Sequence, residues 1–88
     1  MENLDELLRN DDKIYVTVIE KRTADGKLTP LYFTWEDGVR YKIDEVGEVR
    51  RAASTKAGGV GMRYHIRVGE RWNYMWLEED RWFMERKN

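Results

Sequence analysis

Apolar and polar residues alternate one for one along most of this chain, the period of a strand with one buried face. From Lys13 to Lys21, Ile14, Val16 and Val18 share one side and Tyr15, Thr17 and Ile19 the other. Asp25-Gly26 follows, a pair that tolerates the positive φ of a tight turn. The next run, 28–36, places Leu31, Phe33 and Trp35 together, and its Pro30 lacks an N–H, which suits an edge or a bulge. A two-residue turn at Asp37-Gly38 leads to Val39, Tyr41 and Ile43 facing inward, with Arg40, Lys42 and Asp44 facing out. The alternation blurs over 46–52, where Val46 and Val49 mark at most a strand end. It returns at Met62, Tyr64, Ile66 and Val68, then at Trp72, Tyr74 and Trp76 with Met75 and Leu77 opposite, and closes at Arg81-Trp82-Phe83-Met84-Glu85.

Two segments break the pattern. Leu4, Leu7 and Leu8 fall on one stripe behind Asn3, which can cap a helix, and Glu6 stands where a capping box wants an acid. Residues 1–12 therefore read as a short helix or arm, too short to hold without a surface to pack on. Residues 53–61 are small, polar and glycine-rich and read as a mobile loop.

These elements fit one domain over 1–88, with a β core at 13–52 and 62–87. The expected fold is all-β: five to six antiparallel strands curled into a small SH3-like barrel or roll, with a short N-terminal helix. An open sheet with the helix on one face is the rival. The expected core is Val16, Val18, Phe33, Trp35, Tyr41, Ile43, Tyr64, Ile66, Trp76 and Trp82. Phe83, Met75, Leu77, Tyr15 and Ile19 are left on the opposite face. They would line the inside of a tight barrel, a binding patch or a dimer interface.

Composition sharpens this picture at three points. Four Trp, five Tyr and two Phe in 88 residues supply the bulky side chains a small sheet needs. The chain has no Cys, so disulfides, thiolate chemistry and Cys-based zinc sites are excluded, and a cytoplasmic location is expected. No signal peptide is legible in the acidic start, and no apolar run approaches the roughly 20 residues of a membrane span. The net charge of −1 hides an uneven distribution, since 40–71 carries eight basic and four acidic residues, a local +4.

Catalytic chemistry finds no foothold. Gly58-Gly59-Val60-Gly61 lacks the following Lys, Ser or Thr and helix of a phosphate loop. His65 is the sole histidine, and Ser54 and Thr55 sit on a poor platform for a nucleophile. The acidic clusters Asp11-Asp12 and Glu78-Glu79-Asp80 do not match a calcium loop. No catalytic residue, metal site, cofactor or small-molecule substrate is expected, nor any membrane partner.

The basic middle is the feature that stands above this background. Arg40 and Lys42 lie on the outward side of one strand, and Arg63, His65 and Arg67 on that of another. Were those strands neighbours, five donors would form one patch for phosphates, extended by Arg50, Arg51, Lys56 and Arg71. Alternating cations on a solvated face also suppress edge pairing, which is the plainer reading. The expected function is a non-catalytic binding module, nucleic-acid-associated. The alternative is a protein-interaction or homodimerisation module without nucleic-acid binding.

Leu31-Tyr32-Phe33-Thr34-Trp35-Glu36-Asp37-Gly38-Val39-Arg40-Tyr41 resembles the signature of a small uncharacterised bacterial β domain. Tyr64-His65-Ile66-Arg67-Val68 is similar to that family's middle strand, and Arg81-Trp82-Phe83-Met84-Glu85-Arg86 to its last. Such domains occur at the C-terminal end of actinobacterial translesion-polymerase-like proteins and as free-standing chains. The resemblance implies an accessory or docking role in DNA damage tolerance, beside nucleic acid or a DNA-repair protein.

Overall fold

The computed structural model describes residues 12–86. The helix expected at 3–9 lies outside the described residues. Seven strands form where five to six were expected: β1 (Lys13–Arg22), β2 (Leu28–Thr34), β3 (Arg40–Lys42), β4 (Glu45–Ala53), β5 (Val60–Val68), β6 (Arg71–Glu78) and β7 (Arg81–Glu85). All pairings are antiparallel, in the order β3-β2-β1-β7-β6-β5-β4. No helix among the described residues is long and apolar enough to cross a membrane.

The extra strand is β4. Its alternation blurs in the sequence because the register slips between Val46 and Val49, where Gly47 and Glu48 form a bulge. The β2–β3 hairpin is also one residue longer than expected. Thr34 pairs with Arg40, the Trp35 N–H donates to the Val39 carbonyl at 2.9 Å, and three residues make the turn. Gly38 ends that turn at φ 83°, the left-handed position of a three-residue hairpin loop.

The sheet curls because β3 and β4 are nearly one strand. At the junction the Ile43 N–H donates to Leu31 of β2 and the Asp44 N–H to Arg67 of β5, at 2.9 and 2.8 Å. Successive N–H groups of a strand point in opposite directions, so this corner ties the two ends of the sheet together. The result is a half-barrel, closed at the corner and open beyond it.

Inside the curl lies the main core. Phe33, Ile43, Tyr64, Ile66, Met75, Trp82 and Met84 are buried there, with Val16, Val18, Trp35, Tyr41, Val46, Val68 and Leu77 packed against them. Nine of the ten expected core residues belong to this set, the exception being Trp76. β6 is therefore inverted relative to expectation. Met75 and Leu77 face inward, while Trp72, Tyr74 and Trp76 face outward. The register forces this: Tyr64 pairs with Met75 and His65 with Tyr74, so Tyr64 and His65 carry their partners to opposite faces. Trp82 donates its indole N–H to Glu20 at 2.9 Å, and Tyr64 donates its hydroxyl to the Leu28 carbonyl at 3.1 Å, satisfying two polar groups at the barrel wall. Burial, then the charge of Glu20, push the Tyr64 phenol above its ordinary value.

A second, smaller core sits on the outward face. Trp76, Phe83 and Ala57 are all buried there. Ala57 belongs to the segment read as a mobile loop, of which 54–59 alone lies between strands. That segment is a packed tongue. The Ser54 Oγ donates to Glu85 at 2.7 Å and accepts the Ala57 N–H at 3.0 Å, and the Lys56 ammonium donates to the Arg86 carbonyl. Small residues are needed here because the tongue lies directly on the Trp76 and Phe83 rings. The Trp76 Nε1 is buried without a hydrogen-bond partner among the described residues, an arrangement that typically costs about 1–3 kcal/mol.

Candidate nucleic-acid interface

The outward face of β5, β6, β7 and β1 carries an unbroken row of rings. Two-residue spacing on β6 aligns Trp72, Tyr74 and Trp76 on that face. His65 of β5 lies between the first two, its centroid 4.5 Å from Trp72 and 4.8 Å from Tyr74. Tyr74 is 6.1 Å from Trp76, Trp76 stacks on Phe83 at 5.3 Å, and Phe83 meets Tyr15 edge-on at 6.1 Å. The middle of the row is roofed by the tongue and its ends are open. Trp72 and Tyr74 are 40% exposed and Tyr15 42%.

Cations lie over the open rings. The Arg63 guanidinium is 4.2 Å from the Tyr74 centroid and that of Arg81 3.5 Å from Tyr15. Trp72 lies against the bulge of β4, where Gly47 leaves it room. A Cβ at that position would stand 3.2 Å from the indole ring.

Acids answer Arg63 and its cationic neighbours on β4 and β5. Arg67 pairs with Glu45 at 3.3 Å, while Arg63 and Arg50 share Glu48 at 3.8 and 3.4 Å. These are partly or well exposed pairs, each contributing about 0–1 kcal/mol. Their larger effect is to neutralise the strip beside the rings.

Beyond the Tyr15 end, Lys13 donates to both Glu78 oxygens, the shorter contact being 2.9 Å, and Tyr15 donates to Glu78 at 3.0 Å. The Lys13 hydrogen bonds hold the Glu78 carboxyl below its ordinary value of 4.5, against a smaller opposing effect of burial. Burial alone would lower the Lys13 ammonium, but its bonds to Glu78 and Tyr15 leave it above 10.5. Across the barrel mouth, Arg86 lowers Glu36 in the same way. A depressed carboxyl contributes stability that is complete above 4.5 and is lost as pH falls through the folded value. A raised ammonium contributes stability lost only above 10.5. The melting temperature is therefore expected to hold level from about pH 6 to 8 and to fall below about pH 4.5. Glu78→Gln should flatten that acid limb, as followed by circular dichroism. An unchanged acid limb would show that the Lys13–Glu78 contact adds nothing.

The five residues expected to form one cationic patch divide into two groups. Arg63, His65 and Arg67 are together on β5, facing outward. Arg40 and Lys42 are exposed on β3, which pairs with β2. The strand they begin reaches β5 only at Asp44, so the two groups are not neighbours across a ladder. Of the residues expected to extend the patch, Arg50 stands opposite Arg63, Arg51 is paired with Met62, Lys56 is in the tongue and Arg71 begins β6. The rings at the centre of the face, Trp72 and Tyr74, are not among the site residues expected from the sequence, because they share the phase of Trp76, which was expected in the core. Asn73 between them, a polar residue among large apolar ones, marked the alternation as ambiguous.

No group of three or more His, Asp or Glu side chains able to hold a metal is present among the described residues. A scan against protein-family models and searches of curated proteins and of solved structures returned no match.

Proposed function

We propose that this domain is a non-catalytic binding module that takes single-stranded nucleic acid on the outward face of β5 and β6. The observation that carries the reading is the Trp72–His65–Tyr74 row, open to solvent, with Arg63 stacked on its far ring. The exposed part of these rings offers aromatic surface against which unpaired bases pack. Duplex DNA buries its base faces and offers such rings nothing. The resemblance noted in the sequence gives this activity a setting, as an accessory domain in DNA damage tolerance.

The ion pairs change what binding should look like. Five unpaired cations would give a salt slope near −3.5 for a single strand, a loss of about 100-fold between 50 and 200 mM salt. With Arg63 and Arg67 already answered by Glu48 and Glu45, and Arg40 and Lys42 set apart on β3, no more than two to three phosphate contacts are expected, and the loss is at most about 20-fold. Fluorescence anisotropy with a labelled single strand and the matching duplex tests this directly. Removing a stacking ring costs about 1–3 kcal/mol per base, so Trp72→Ala with Tyr74→Ala should weaken single-strand binding by at least about 30-fold. Full retention of affinity in that double variant, or equal binding of duplex, would overturn the reading.

A second reading has its own observation. β4 ends the sheet, and Val49, Val60 and Met62 are exposed at and beside it. An open strand edge with apolar neighbours favours docking of a protein or of a second copy. Light scattering at high concentration separates a dimer from a monomer.

A further inference from the structure

The barrel wall parts beside the exposed rings. β6 and β7 pair at Trp76↔Phe83, Leu77↔Trp82 and Glu78↔Arg81, all at one end of β6. The far end of β7 turns to β1 instead, with Met84 opposite Ile14 and Glu85 opposite Lys13. Between 71–75 of β6 and residues 84–86, at and just past the end of β7, the wall is open. Two cavities meet there, of about 480 and 160 Å³, and share Asn73, Met84, Glu85 and Arg86. The smaller reaches Trp72 and Tyr74 on the outward face. The larger lies inside the curl, lined by Phe33, Trp35, Tyr41 and Val68. Phe33 and Tyr41 stack there at 5.4 Å.

Two polar groups in this passage have no partner. The Asn73 side-chain amide, half-buried and lining both cavities, makes no hydrogen bond among the described residues. Arg71, lining the larger cavity, makes no ion pair among them. Glu36 and Glu85 nearby are already engaged, by Arg86 and Ser54. What remains is an aromatic cup with one free amide and one free guanidinium.

We infer that this cup holds a single unpaired adenine, turned in from a strand lying on Trp72 and Tyr74, with its edge met by the Asn73 amide and its phosphate by Arg71. The inference rests on the proposed nucleic-acid reading and adds a base preference to it. An amide presents one acceptor and two donors in a plane. Adenine presents a donor beside an acceptor on both its Watson–Crick and its N7 edges, so it meets the amide in either orientation. The N7 edge of guanine carries two acceptors, and only one of its edges suits. Pyrimidines are smaller and leave more of the aromatic lining uncovered.

The test uses the full chain and a labelled dT8 in which one central position is varied through the four bases. A central adenine should tighten binding by about tenfold over the other three. Asn73→Leu, which keeps the volume and adds no charge but removes the amide, should erase that preference, bringing the adenine-containing oligomer down to the affinity of dT8. A readout that needs no variant is 2-aminopurine at the central position, whose fluorescence should be quenched in the cup and stay bright if the base remains in solvent. Equal affinity for all four bases, a preference that survives Asn73→Leu, or a bright 2-aminopurine each overturns the inference while the single-strand reading stands. Absence of binding to every oligomer removes both.

Discussion

Phe83→Ala is expected to cost about 3–5 kcal/mol and to dismantle the outward face as well as the fold. Phe83 has no exposed surface. Its ring stacks on Trp76 with an interplanar angle of 3°, meets Tyr15 edge-on, and lies 4.4 Å beneath the Lys13 ammonium. It is thus the joint between the two open ends of the aromatic row and the floor on which the tongue rests. A cavity there cannot be filled by collapse of its neighbours, because Trp76 is fixed in the β6 ladder and Ala57 is held by Ser54. A domain of this length holds roughly 4–13 kcal/mol in all, so the loss takes a large share. Urea unfolding should show a lower midpoint at an unchanged slope. Phe83→Leu keeps most of the volume and should recover more than half of the lost stability. A cost below about 1 kcal/mol for Phe83→Ala would mean that the tongue and Trp76 do not depend on it.

The second large effect is expected at Gly61. A Cβ placed there would stand 2.4 Å from the Leu77 carbonyl oxygen and 3.0 Å from its carbon, both backbone atoms of the adjacent strand. No rotamer can relieve that contact, so Gly61→Ala must push β5 and β6 apart next to the Met62↔Leu77 pair. Overpacking of this kind costs about 1–3 kcal/mol and more where the backbone resists; about 3 kcal/mol is expected here. The displaced end of β6 carries Glu78, so the Lys13–Glu78 contact should loosen as well. Hydrogen exchange should therefore speed up at the β5–β6 ladder and at the start of β1, beyond the change at the substituted residue. Native exchange across β5 and β6 in Gly61→Ala would show that the strands absorb the methyl group without parting.

Much of this fold can be read in the sequence. Wherever large apolar residues alternate with charged ones, as in Tyr41 to Ile43 or Tyr64 to Val68, the inward face follows from the pattern, whereas Val39, expected inward, is exposed where the hairpin turn ends. The pattern fails where both phases are apolar. In β6 the bulkiest side chains occupy one phase, and bulk suggested burial. Met75 took the core because β5 and β7 fix the register on either side of it. It fails again at β4, where one bulge erases the period while leaving the hydrogen bonds in place. The site was half visible for the same reason. Arg63, His65 and Arg67 announced an outward face, but Trp76, in phase with the rings they border, was expected in the core. The sheet order, on which a joint patch with Arg40 and Lys42 depended, is set by contacts between segments distant in the chain and leaves no local trace.

The pairing of β1 with β7 has a consequence for how the protein is made. β1 pairs with β2 on one side, but its other neighbour is the last described strand, so during synthesis that edge of β1 stays open until β7 has emerged. Until then β1 and β6 each present an unpaired edge beside apolar rings, and the closing step must bring together opposite ends of the chain, which is slow. The interval between emergence and closure is the period of greatest exposure to aggregation, and it ends when Trp82 and Met84 enter the core.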